Sequence, residues 1–161
     1  PRRSGTGWRG AGSPARPSDD TYVASLRELV RELRLESIVR LQPGVPLAEL
    51  PAWYRRSTLH VNLTPVGFGD KVALEAMASG APCVASDCEG NRSLVADGRT
   101  GLLFDPNNPE NLAGQLDRVL GDAGLAADLA TAARQQGSAS YDLGALVAGE
   151  IALLKRLARP G

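Results

Sequence analysis

Gly67-Phe68-Gly69-Asp70-Lys71-Val72-Ala73-Leu74-Glu75-Ala76-Met77-Ala78-Ser79-Gly80-Ala81-Pro82-Cys83-Val84-Ala85-Ser86 is the stretch on which the fold reading turns. It reads as a turn, a helix, a stop and a strand in direct succession. Gly67 to Asp70 is a glycine-punctuated turn. Lys71 to Ser79 is rich in strong helix formers, and Gly80 stands where a helix ends. Pro82 to Ser86 is a short run of strand type. Just upstream, Leu59 to Leu63 is another such run, ended by Thr64-Pro65.

The alternation continues outward in both directions. Ser18, Asp19 and Asp20 are good helix-starting residues, and Val23, Leu26, Val30 and Leu33 follow at 3-4-3 spacing, one face of an amphipathic helix. Ile38 to Leu41 is predicted as a short strand, and Leu47 to Arg56 as a brief helix interrupted near Pro51. Downstream, Asp87 to Asn91 reads as a loop, Arg92 to Val95 as a short helix, Asp97-Gly98 as a turn and Gly101 to Phe104 as a strand. Pro109 to Leu120 is a helix opened by Asn108, and Ala123 to Gln136 and Leu143 to Leu157 are two more. The last carries Leu146, Ile151, Leu153, Leu154 and Leu157 and is expected to pack against the chain's own sheet. Short strands alternating with helices imply a parallel sheet covered on both faces. The expected fold is therefore α/β, a Rossmann-like three-layer domain over residues 19–161. Residues 1–18, rich in glycine, proline and arginine and without acids, are expected to be irregular or disordered.

Composition narrows the function classes. At 161 residues the chain is about one domain long. Its formal net charge is zero, which argues against a nucleic-acid binder working by charge. The sequence has no apolar run of the ~18–20 residues that span a bilayer, and no signal-peptide pattern opens it. A soluble cytoplasmic protein is expected. Cys83 and Cys88 are the only cysteines and are expected to be reduced and partly buried; with a single histidine, His60, a zinc site is not expected. His60, inside a strand, reads as a packed or edge histidine.

In an open parallel sheet, ligands bind beyond the carboxyl ends of the strands. Two such ends are expected on one rim, followed by Thr64 to Asp70 and by Asp87 to Asn91. Gly67 and Gly69 leave the backbone bare, and the loop feeds a helix N-terminus whose free N–H groups favour phosphate. Glu75, one turn into that helix, can accept hydrogen bonds from both hydroxyls of a ribose. The same glycines would equally serve a plain tight turn, with Glu75 on a solvated face; spacing alone leaves both readings open.

The quoted stretch resembles the donor-binding signature of the group 1 (family 4) retaining glycosyltransferases of GT-B fold. That signature has a Glu-Gly-Phe-Gly turn, then Leu-Glu-Ala-Met-Ala-x-Gly, then a Pro-Val-Val-Ala strand. The similarity runs on through Val95 to Pro106 and Asn108 to Ala113, and upstream through Leu35 to Tyr54. It implies the donor-binding C-terminal half of a GT-B enzyme, transferring a hexosyl group from a nucleotide-diphosphate sugar, UDP- or GDP-linked, with no cofactor and no metal. By the same resemblance Glu75 binds the ribose, Gly67, Phe68, Gly69, Asp70, Lys71 and Leu74 line the donor, and Glu89, Gly90 and Asn91 form a second donor loop.

Two departures qualify what the resemblance implies. Gly67 stands where the family has the first glutamate of its Glu-x7-Glu pair, and Arg92-Ser93 replaces a Pro-Glu pair. The strand carrying the family's diphosphate-neutralising Arg and Lys-Gly is not found before residue 19, and neither is the acceptor-holding N-terminal half. Removing one oxyanion donor can raise a barrier by roughly 2.7–4 kcal/mol. The chain is therefore expected to be inactive without its missing half, through which peripheral membrane association would come. No nucleic-acid partner is expected. The other reading left open is a non-catalytic nucleotide or sugar-phosphate binding module.

Overall fold

A computed structural model of the chain describes residues 19–42, 44–64, 71–140 and 143–157. They fall in two compact units, residues 1–44 and 45–161. The first 18 residues, and with them the expectation of disorder there, lie outside the described residues.

In the first unit, helix α1 spans Asp19–Glu32, where the 3-4-3 spacing puts it. It closes through Arg34 in the left-handed region (φ 56), with the Leu35 amide on Val30 O at 2.9 Å and the Arg34 amide on Arg31 O at 3.0 Å. The strand expected at Ile38 to Leu41 does not form. The Ile38 and Val39 amides both donate to Leu35 O, at 2.9 and 2.8 Å, which makes this a turn, and Ile38 is 76% exposed. A β-type run becomes a strand only by pairing, and these amides are engaged locally instead.

The second unit carries a parallel sheet of β1 (His60–Asn62), β2 (Cys83–Ser86) and β3 (Leu102–Phe104), in that order. His60 pairs with Cys83, Asn62 with Ala85, Val84 with Leu102 and Ser86 with Phe104. Strand alternation then assigns the two faces. Cys83 and Ala85 face Ala73 and Met77 of α3 (Lys71–Ala78) and Ala133 of α6 (Ala123–Ser140). Val84, Leu102 and Phe104 face Val119 of α5 (Pro109–Gly121) and Leu129 of α6. Helices thus cover both faces, and the expected three-layer α/β architecture is the observed one.

The helix boundaries follow from local chemistry. Asn108 caps α5: its side chain accepts from the Asn111 amide at 2.9 Å, and Pro109 follows it in the first turn. Gly80, at φ +84, ends α3. The Ala81 amide reaches back to Ala76 O and the Gly80 amide to Met77 O, both at 3.0 Å, the paired closure that a left-handed residue permits. Arg134 adds a bond to Ser79 O at 3.3 Å. The expected interruption near Pro51 takes the form of a change of helix type just before it. A 3-10 turn (Leu47–Glu49) leads into α2 (Leu50–Arg56), and Pro51 sits in the first turn of α2, where no N–H is needed.

Two further expectations are corrected. Asp87 to Asn91 is not all loop: α4 spans Glu89–Leu94, and its first turn includes Gly90 and Asn91. Helix α7 (Leu143–Leu157) forms, but Leu146, Val147, Ile151, Leu153, Leu154 and Leu157 are exposed rather than packed on the sheet. The apolar faces of the sheet are already occupied by α3, α5 and α6.

Candidate functional site

Parallel pairing puts the carboxyl ends of β1 and β2 on one rim, at Asn62 and Ser86. Both candidate loops therefore leave the sheet on the same side, as the sequence pattern implies. Gly67, Phe68, Gly69 and Asp70 lie outside the described residues. Of the remaining candidates after β1, Lys71 is exposed at the start of α3, while Leu74 and Glu75 are partly buried.

Ala73, Ala76 and Met77 turn inward, at the i, i+3, i+4 spacing of a helix face. That fixes Glu75 on the side toward α2. The Tyr54 hydroxyl donates to Glu75 Oε2 at 3.4 Å, a long and weak contact. Tyr54 is itself held: it is buried with Ala76 and Ala81, and its ring meets His60 edge-on at 5.4 Å. His60 is thus a packed strand histidine. Beside this pair lies a cavity of about 310 Å³ lined by Leu47, Leu50, Pro51, Tyr54, Glu75, Ala78 and Ser79. An apolar hollow with one carboxylate and one phenol suits a ligand with an apolar body and adjacent hydroxyls. Nothing in the sequence spacing marks Tyr54, which stands 21 residues from Glu75.

After β2 the candidates separate. Glu89 is exposed and Gly90 partly so, but Asn91 is fully buried. Its Nδ2 donates to Ser86 O at 2.9 Å and to Ser86 Oγ at 3.0 Å, so its side chain is directed into the protein. Ser86 Oγ donates to Thr64 O at 2.6 Å, and Thr64 donates from both its amide and its hydroxyl to Asn62 Oδ1. Arg92 makes a two-pronged contact with Asp87 through Nε and Nη2. That hydrogen bond holds the Asp87 carboxyl below its ordinary value, and correspondingly raises the guanidinium.

No disulfide joins the two cysteines, and both are fully buried rather than partly so. Burial pushes the Cys83 thiol up to about 12, so it is a core residue rather than a nucleophile. Among the described residues no group of three His, Cys, Asp or Glu is placed to hold a metal, and no helix is long and apolar enough to cross a membrane.

The family model described as "Glycosyl transferases group 1" matches residues 11–136, most of the chain. The chain belongs to that family.

Group 1 relatives include the D-inositol 3-phosphate glycosyltransferase of Frankia alni, 42% identical over 96 residues, or 60% of this chain and 24% of the relative. That of Corynebacterium aurimucosum is 40% identical over 114 residues, 70% of this chain and 26% of the relative. The chain thus spans about a quarter of the length of the curated relatives it matches. Among solved structures, sucrose-phosphate synthase from Thermosynechococcus elongatus superposes with a TM-score of 0.80 at 28% identity, over 91% of this chain and 37% of that one. Anabaena HepE, solved in complex with UDP, gives 0.80 at 25% identity, over 86% and 38%. The C-terminal domain of the group 1 protein LpcC from Francisella tularensis shares the fold, with a TM-score of 0.70 at 24% identity, over 80% and 66%. The architecture is accordingly that of one half of a GT-B glycosyltransferase.

Proposed function

We propose that this chain is the donor-binding part of a retaining glycosyltransferase and holds a nucleotide-diphosphate sugar at the carboxyl rim of its sheet. The observation that carries the reading is Glu75. Its carboxylate lies one turn into the helix after β1, partly buried, with Tyr54 beside it and an apolar hollow alongside. A carboxylate so placed accepts both hydroxyls of a ribose while the hollow receives apolar surface. The sugar and diphosphate then extend toward the start of α3, where helix N–H groups and the exposed Lys71 favour negative charge. A relative of similar fold was solved with UDP, which supports a uridine nucleotide, with GDP as the other candidate.

Leaving-group charge in such a transfer must be met by fixed donors. The group 1 proteins matched are about four times longer than the matched segment, and we infer that the acceptor site and further cations come from that remainder. The chain alone then binds donor without transferring sugar, and needs no metal for binding. Calorimetric titration with UDP, GDP and ADP tests this directly. Saturable binding of UDP or GDP, without sugar release from the matching nucleotide sugar, is expected. Turnover by the purified chain would refute the dependence on a second half, and absence of binding to all three nucleotides would refute the donor-site reading.

A further inference from the structure

The rim holds a buried polar chain that the donor reading does not use. Asn62, Thr64, Ser86 and Asn91 are 4%, 8%, 1% and 0% exposed, and hydrogen bonds join them in series across two strand ends and a helix. Both amide orientations are fixed by their partners. Ser86 O can only accept, so the Asn91 atom facing it is Nδ2; the Thr64 amide can only donate, so the Asn62 atom facing it is Oδ1. That leaves Asn62 Nδ2 and Asn91 Oδ1 buried with no hydrogen-bond partner among the described residues. Each such group costs folding free energy that an apolar side chain of similar shape would avoid. Stability alone does not account for two of them in one cluster.

The series ends on Thr64, the residue from which the chain leaves β1 for residues 65–70 and α3. Its amide, hydroxyl and carbonyl are all engaged: the first two donate to Asn62, and the carbonyl accepts from Ser86. Ser86 is in turn fixed by two bonds from a single Asn91 amide group. We propose that Asn91, acting through Ser86 on Thr64, is a positioning residue that holds the carboxyl end of β1 against the start of α4, and so couples the two rim segments. The coupling to donor affinity rests on the function proposed above; the holding of Thr64 does not.

Amide hydrogen exchange on the full chain, with and without UDP, separates the two. In Asn91→Ala the amide of Thr64, held on Asn62 Oδ1, is expected to exchange at least tenfold faster. Those of β3 and α5 are expected to change less than twofold, and UDP affinity to fall about tenfold. Ser86→Ala removes the hydroxyl that donates to Thr64 O and accepts from Asn91, leaves the Asn91 bond to Ser86 O, and is expected to give the same pattern, which keeps the test open if Asn91→Ala does not fold. A uniform rise across the second unit would make the network a general support and overturn the proposal. So would unchanged exchange in both variants, or local loosening with unchanged UDP affinity. Failure of the wild type to bind UDP would instead remove the donor reading, and the exchange pattern would still decide the positioning role.

Discussion

Gly101 is where the turn after α4 meets the sheet most closely, and substituting it gives a demanding test of that packing. A Cβ built there falls 2.8 Å from the backbone carbonyl oxygen of Cys83 and 2.8 Å from Val95 Cγ1. Neither neighbour can yield easily. Cys83 O belongs to the central strand β2, and Val95 is buried in the cluster with Cys83 and Met77. Relief requires a shift of roughly half an ångström in a close-packed interior, an overpacking strain of about 2–3 kcal/mol. For a unit of this size, about 4 °C is lost per kcal/mol, so Gly101→Ala should melt roughly 8–12 °C lower. In urea, with a slope of ~1–3 kcal/mol/M, the midpoint should fall by about 1–2 M. Circular dichroism followed through both denaturations reads both values. Gly114→Ala is the control: nothing lies within 4 Å of its added Cβ, at an exposed position inside α5. It should gain about 0.5–1 kcal/mol from helix propensity. Equal stability of wild type and Gly101→Ala would refute the close approach of residues 97–101 to β2.

Other expectations follow from the same geometry. Met77→Ala, which empties a fully buried position between α3 and the sheet, should cost about 2–5 kcal/mol in urea unfolding, whereas Leu157→Ala on exposed α7 should fall within ~0.5 kcal/mol of wild type. Asp87 has its folded pKa lowered by Arg92, so its contribution is present above the ordinary carboxylate value of 3.8 and is lost as pH falls through the lower folded value. Asp87→Asn should therefore lower the urea midpoint slightly at pH 7 and not at pH 2; a difference that grows on acidification would contradict the ion pair. The Cys83 thiol, pushed up to about 12 by burial, should resist alkylation at pH 8 and react only on unfolding, as read by mass spectrometry with and without urea.

The fold was largely legible because its punctuation is local. Gly80, Asn108 with Pro109, and the inward Ala73, Ala76 and Met77 each carry their structural consequence within a few residues. What escaped depends on partners far along the chain. Ile38 to Leu41 has strand composition, but pairing decides strands and composition does not reveal a neighbour. The start of α4 at Glu89 contains Gly90, a poor helix former; Asn91 bound to Ser86 helps hold that turn. An apolar face on α7 does not say whether the sheet still has surface to offer. In the candidate site, Glu75 stands out through the resemblance of its surrounding stretch, whereas Tyr54 reaches it only by the packing of α2 on α3, and the Asn62–Asn91 series forms only through the parallel register of β1 on β2.

The central claim is that Glu75 receives a ribose diol. Calorimetric titration of UDP and of 2′-deoxy-UDP into wild type and Glu75→Ala tests it most directly. Hydrogen bonds to a charged group are worth ~1.5–3 kcal/mol, so wild type should prefer UDP by about tenfold or more. Glu75→Ala should weaken UDP by a similar factor and bind the two nucleotides alike. Equal affinities in wild type, or a preference for UDP that survives Glu75→Ala, would contradict the assignment.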